Sequence, residues 1–211
     1  MFNVIYADPP WFYNDRHLAS RTKSGAKTRF GLGAAGRYNV MKTEDICSIP
    51  VQDITADNCA LFLWTTFPQL DAGLEVMKAW GFDYKTIGFL WIKLNPRRAR
   101  GRHTWIGNGI DFMHYLSFFG IGYYTKHNPE PCLLGIKGKM KPVSNKVSNL
   151  IYAPKGGHST KPEIVRTKIE ELFGDVPRVE LFARDTVPGW TALGNEIDGK
   201  DIREAIKDVT K

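Results

Sequence analysis

Seven short runs divide the chain, at residues 4–7, 59–65, 86–93, 132–137, 147–153, 179–183 and 190–194, and most are apolar or β-branched at nearly every position rather than at alternate ones. A strand with that pattern has no face it can show to water, so it must be covered on both sides. Two of the intervals carry helix punctuation instead. In "PQLDAGLEVMKAWG" Pro68 suits a first helical turn, Leu70, Leu74 and Met77 share a face, and Gly81 is a stop; in "KPEIVRTKIEELFG" the inward stripe is Ile164, Val165, Ile169 and Leu172. Doubly apolar strands alternating with helices predict an α/β doubly wound architecture with a mainly parallel sheet. Ligands of such sheets bind outside the carboxyl ends of the strands.

At 211 residues, 43% of them hydrophobic, the chain can bury one sizeable core, and residues 1–211 are read as a single domain. It holds no apolar run near the length needed to cross a bilayer, and its first residues read as a strand rather than a signal segment. A cytoplasmic protein without a membrane partner is the expectation. Cys47, Cys59 and Cys132 are odd in number, widely spaced and outside any C-x-x-C pair, so neither a disulfide framework nor a metal centre is expected.

The net charge of +7 is unevenly placed. Arg16, Arg21, Lys23, Lys27, Arg29, Arg37 and Lys42 fall in one basic loop near 14–42. Lys93, Arg97, Arg98, Arg100, Arg102 and His103 cluster in and around another near 94–108, and Lys137, Lys139, Lys141 and Lys146 form a thinner group. With Tyr38, Trp105 and Tyr124 among them, these loops combine cations with aromatic faces, the pairing used on nucleic acid. "GLGAAG", at residues 31–36, spells the dinucleotide fingerprint but lacks the strand before it and the helix after it that the mechanism requires. It reads as a glycine-rich loop closing over substrate.

The first run ends in "DPPW". Asp8 then stands at the carboxyl end of a strand, and Pro9 and Pro10 stiffen the turn, leaving the carbonyls of Asp8 and Pro9 as oriented acceptors beside an aromatic ring. Such an array suits a flat base carrying an amino group. Taken alone, the four residues fit better a proline-rich, strand-ending turn with a buried Trp11.

The rest of the chain bears on that choice. "DPPW", "YNVM…FLWTT", "WGFDYKTIGFLWIK", "NPEPCLLGIKGK", "HSTKPEIV" and "RVELFARDTVPGWTALGNEIDG" follow one another in an order that resembles the S-adenosylmethionine-dependent adenine-N6 methyltransferases of the DPPW class, from Ile5 to Gly199. That family includes the catalytic subunit of the eukaryotic messenger-RNA adenosine methyltransferase and small phage or bacterial DNA enzymes. The resemblance implies a Rossmann-like methyltransferase sheet in permuted motif order, S-adenosylmethionine as cofactor, and nucleic acid as partner, DNA ahead of RNA.

It also implies roles. Asp8 and the Pro9 carbonyl would accept the amine hydrogens, with Pro10 stiffening the turn and Trp11 and Tyr13 packing against the base. Lys161 would meet the cofactor's carboxylate with Asp8 nearby, Arg184 would lie beside the cofactor, and Asn195 and Glu196 would bond its ribose, although many relatives carry an amide where Glu196 stands. Glu130 and Asn128 would sit near the substrate base, and Arg97 and Arg98 would meet the nucleic acid. Three other readings stay open: a non-catalytic nucleic-acid-binding relative, RNA as substrate, and cytosine-N4 methylation. The segment at 105–124 is longer than its counterpart in the family, and packing or self-association through Phe112, Tyr115, Phe118 and Phe119 is the reading offered for it. Oligomeric state stays open.

Overall fold

The computed structural model describes residues 1–12, 40–99, 109–120, 122, 124–157 and 160–210. All seven apolar runs form strands of one sheet: β1 (Phe2–Ala7), β2 (Thr55–Trp64), β3 (Asp83–Leu94), β4 (Glu130–Lys137), β5 (Leu150–Pro154), β6 (Arg178–Leu181) and β7 (Thr191–Leu193), in the order β5-β3-β4-β2-β1-β6-β7. The central strands are dry because each residue has a core to enter. From β1, Ile5 and Ala7 enter one cluster and Val4 and Tyr6 enter the other, all at most 1% exposed. Burying a Val, Ile or Leu contributes roughly 1.5–3 kcal/mol, so the centre of the sheet is its energetic anchor.

The parallel expectation holds except at β4, which runs antiparallel to both β2 and β3. The cause lies in the connection that precedes it. The chain leaves the carboxyl end of β3 into α3 (Pro96–Ala99) and α4 (Gly109–Leu116). It stays at that end, where Asn95 N–H donates to the Leu116 carbonyl at 2.7 Å and Phe118 N–H to the Lys93 carbonyl at 2.8 Å. A chain that re-enters a sheet at the end it left must run backwards. Glu130, the first residue of β4, is thereby delivered to the same rim as Asp8.

One face is covered by α1 (Thr43–Cys47), α2 (Leu70–Ala79) and α7 (Ile202–Val209), the other by α5 (Ile164–Phe173). Both expected helices exist with a different phase. Pro68 lies in a 3₁₀ turn, Phe67–Gln69, ahead of α2, whose buried face is Ala72, Gly73, Val76 and Met77, while Leu74 is exposed. Small residues win there because the helix lies so close to the sheet that a Cβ on Gly73 would come within 3.2 Å of both Leu133 and Thr65. In α5 the buried residues are Val165, Ile169 and Phe173; Leu172 is partly packed and Ile164 is exposed. Among the described residues no helix is long and apolar enough to cross a membrane.

β4 is followed by Gly138, which has φ +66°, and a Cβ there would collide with the Asp57 carbonyl oxygen. Both the left-handed backbone and the contact demand glycine. Gly138→Ala is expected to lower the unfolding free energy by at least about 1–2 kcal/mol, the left-handed penalty alone; urea denaturation with an unchanged midpoint would contradict this.

Candidate active site

Asp8 follows the last residue of β1, as the strand pattern predicts. Its turn is pinned on both sides: the Pro9 carbonyl accepts from Trp11 N–H at 2.9 Å, the Pro10 carbonyl accepts from Met41 N–H at 2.8 Å, and Phe12 N–H donates to the Met41 carbonyl at 2.9 Å. A carbonyl oxygen has two lone pairs, so Pro9 keeps one acceptor position. Trp11 is only 5% exposed, and its indole N–H donates to the Trp64 carbonyl at 3.0 Å. The ring belongs to the core, as in the buried-tryptophan reading of the turn, and its N–H ties the turn to the end of β2.

Four charged side chains alternate in sign across the rim. Lys161 Nζ lies 2.8 Å from each oxygen of Asp8 and 2.9 Å from Glu130 Oε1, and Lys93 Nζ lies 2.6 Å from Glu130 Oε2. None of the four side chains is more than 20% exposed. Three N–H donors and three oxygen contacts leave Lys161 saturated. Lys161 and Pro162 precede α5 rather than opening it, Glu163 being the residue before the first helical turn. The lysine can therefore reach back across the sheet tip to β1.

The two carboxylates differ. Burial pushes the Asp8 carboxyl up, the neighbouring Glu130 adds to that, and Lys161 only partly opposes it. Burial acts the same way on Glu130, yet Lys161 and Lys93 together hold it below the usual glutamate range. Burial alone would lower the affinity of Lys161 for its proton, but Asp8 and Glu130 outweigh it and raise that affinity well above the ordinary value. Neighbouring acids pushed in opposite directions can take different roles in one reaction.

Beside this cluster, between the carboxyl ends of β1 and β6 and the start of α5, lies a cavity of about 460 Å³ whose walls include Tyr6, Asp8, Lys161, Arg166, Phe182 and Arg184. That is within the range of small-molecule and cofactor sites. Phe182 has φ 61°, a strained conformation for a side-chain-bearing residue and one that clusters at functional sites. Arg166 clamps Glu180 through two bonds, 2.7 and 2.8 Å, and stands over the Tyr6 ring at 5.7 Å. Arg184 Nε lies 3.5 Å from Glu196 Oε1. Asn195 and Glu196 open a short helix, α6 (Asn195–Asp198), and are exposed beside the cavity rather than among its walls.

Asp8, Lys161, Glu130 and Arg184 thus come together. Asn128 serves them indirectly: it is 7% exposed, its Oδ1 accepts from Lys93 N–H at 3.1 Å, and its Nδ2 donates to the carbonyls of Lys93, at 2.9 Å, and of Phe118. Both amide hydrogens are committed to backbone, which makes it a clamp two residues ahead of Glu130. Arg98 lies over the Tyr115 ring at 4.5 Å and donates to the Tyr115 carbonyl at 2.8 Å, tying α3 to α4, while Arg97 is exposed. Phe118 packs under Lys155 and Phe119 against His114. Tyr13, the glycine-rich run at 31–36, most of the basic loop near 14–42 and residues 100–108 lie outside the described residues. The sequence assigns Lys93, Arg166, Glu180 and Phe182 no role at the site, although Lys93 stands out in a basic cluster and Glu180 and Phe182 lie within the string "RVELFARD".

A family model described as MT-A70 matches residues 2–196. Among curated proteins, the Type II methyltransferase M.MunI of Mycoplasma sp is 32% identical over 211 residues, covering 95% of this chain and 80% of that protein. An N(6)-adenosine-methyltransferase MT-A70-like protein of Arabidopsis thaliana is 27% identical over 94% of this chain but 24% of its own length. The human N(6)-adenosine-methyltransferase catalytic subunit METTL3 is 26% identical over 94% of this chain and 28% of its own length. The chain thus spans about a quarter of the eukaryotic relatives.

Proposed function

The chain belongs to the MT-A70 family of S-adenosylmethionine-dependent adenine methyltransferases, and from that premise we propose that it methylates the exocyclic N6 amine of adenine in DNA, with Asp8 as the residue that receives the amine. The observation that carries this reading is the Asp8 carboxylate: it stands at the tip of β1, it is fixed by Lys161 and by a doubly pinned turn, and it forms one wall of the cavity. DNA is preferred to RNA because the type II relative shares more residues and is matched over most of its length.

The residues fit the donor molecule. A cavity of about 460 Å³ can take most of it, Lys161 and Arg184 supply cations for its carboxylate side, and Asn195 with Glu196 stand at the rim where hydroxyls could be met. When bound, S-adenosylmethionine supplies an electrophilic methyl group on a sulfonium. The protein's part is to make a poor nucleophile attack. An adenine amine delocalises its lone pair into the ring, and acceptors at Asp8 and the Pro9 carbonyl draw its two hydrogens toward a pyramidal nitrogen. Positive charge then develops on that nitrogen, and a preorganised carboxylate offsets it until one of the two amine hydrogens leaves as a proton, by way of Asp8 or directly to water; such contacts are worth roughly 3–4 kcal/mol. Because Lys161 is saturated, it must loosen from Asp8 to engage another carboxylate, and that loosening frees the acid for the amine. A target base in a duplex must be flipped out or met in a single strand.

Incubation with labelled S-adenosylmethionine and DNA or RNA in parallel, followed by digestion to nucleosides, tests the reading. The expected product is N6-methyldeoxyadenosine. Label on cytosine, or on neither nucleic acid, refutes it, and label on RNA alone moves the substrate.

A further inference from the structure

Lys93 stands at the outer end of the row of charges and has been given no role in the transfer itself. Each oxygen of Glu130 has its own ammonium, Oε1 on Lys161 at 2.9 Å and Oε2 on Lys93 at 2.6 Å, and the two side chains of the outer pair are 15% and 11% exposed. Lys93 is also unusually well held at its base. Its N–H and carbonyl are both bonded by the Asn128 side chain, its carbonyl also accepts from Phe118 N–H at 2.8 Å, and its ammonium lies 5.2 Å from the centre of the Trp91 ring. Asn128 is two residues before Glu130, so one amide sets the spacing of the lysine and the acid it pairs with. An exposed lysine reaching for phosphate has no use for such an anchorage, since a flexible stem serves it better.

We propose that Lys93 is a positioning residue: it holds Glu130 against Lys161 as that ammonium's second anion, so that Lys161 is never left to Asp8 alone. The inference rests on the methyl-transfer reading of the site. Its logic is one of charge sharing. Glu130 faces Lys161 and Asp8 from two other segments, Lys93 from β3, and His127 and Cys132 on its own segment. Of these, Lys161 and Lys93 are the cations that bond it. Remove Lys93, and burial drives Glu130 toward its neutral acid, which no longer draws on Lys161. The ammonium then settles wholly on Asp8, and the carboxylate that should receive an amine is occupied by a stronger competitor. Lys93 acts through Glu130 and touches neither substrate nor donor.

The test compares Lys93→Met and Lys93→Arg with the wild type in methyl transfer and in a carbon-13 NMR titration of the Glu130 carboxyl. In Lys93→Met the Glu130 titration is expected to move up by about one pH unit or more, and kcat to fall about tenfold, the equivalent of one unit of altered charge interaction. The acid limb of the kcat profile should move up with it, KM for nucleic acid should stay within a few-fold, and Lys93→Arg should restore both limb and rate. A raised KM for nucleic acid with unchanged kcat and an unmoved acid limb would make Lys93 a phosphate contact and overturn the proposal, as would an unmoved Glu130 titration. If Lys93→Met does not fold, the wild-type protein still decides, because Glu130 titrating at or above the ordinary glutamate range overturns the proposal and a depressed titration supports it. The NMR readout needs no turnover, so a wild type inactive on every nucleic acid sinks the methyl-transfer reading and leaves the Lys93–Glu130 linkage to be judged separately.

Discussion

Asp8→Asn is expected to lower kcat for methyl transfer by about 10²–10³-fold, the usual loss when one preorganised electrostatic contact to developing charge is removed. The substitution keeps shape and removes the anion. It does not orphan a buried cation, because Lys161 retains Glu130 at 2.9 Å. The fold should survive, and affinity for S-adenosylmethionine, read by calorimetry, should stay within a few-fold. Single-turnover transfer at the wild-type rate would end the assignment of Asp8. The pH dependence adds a second check. Burial raises the Asp8 carboxyl, so the acid limb of the wild-type profile should lie above the range of an ordinary aspartate and, in the variant, retreat to the lower pH at which Glu130 takes up its proton. The stability linkage has opposite signs at the two acids. Asp8 binds its proton more tightly when folded, so its contribution falls as pH rises from the unfolded toward the folded value; Glu130 is depressed, so its contribution is present above the ordinary glutamate value and is lost as pH falls through the folded one.

Much of this geometry is legible in the sequence, and what is not has physical reasons. The central strands can be read because a segment buried on both faces must be apolar throughout, and the cores on the two sides of the sheet bear that out, whereas β5, at the sheet's edge, leaves Leu150 and Tyr152 exposed despite the same apolar letters. The reversal of β4 cannot be read, since it depends on α3 and α4 holding the chain at one rim, and nothing in "CLLGIK" marks a direction. Helix phase fails where backbone approach outweighs side-chain bulk: Leu74 looks inward by periodicity, but Ala72 and Gly73 occupy the contact. α7 escapes notice because it sits in a charged tail, although Asp201 capping Arg203 N–H and the spacing of Ile202, Ala205 and Ile206 were there to be found. At the site, Asp8 and Lys161 are visible from their motifs, but their pairing spans 153 residues of sequence and appears only in space. Trp11 is likewise visible as a letter of the motif, but its burial and the bond from its indole N–H to the Trp64 carbonyl at the end of β2 appear only in space.

Lys161→Met should have the largest effect on stability. It removes the single ammonium between two acids that are 20% and 11% exposed, leaving Asp8 without its ion pair and Glu130 with Lys93 only. Breaking a buried pair from one side costs about 3–5 kcal/mol, because the remaining charge has lost its hydration and its partner. In a domain of this size each kcal/mol lowers Tm by about 2–4 °C, so a fall on the order of 10 °C is expected near neutral pH. The direction of the pH response separates this cause from simple loss of packing. In the variant both carboxyls are pushed up, so the folded state binds protons more tightly than the unfolded chain, and stability should recover as pH falls toward the ordinary carboxylate range. The wild type lacks this recovery at Glu130, whose sign is the reverse. Thermal unfolding of both proteins across pH 4.5 to 7.5, roughly the span over which a raised carboxyl titrates, makes the comparison. A Tm difference that stays constant with pH would mean that Lys161 contributes only its aliphatic stem, and the alternating row of charges would lose its claim to organise the site.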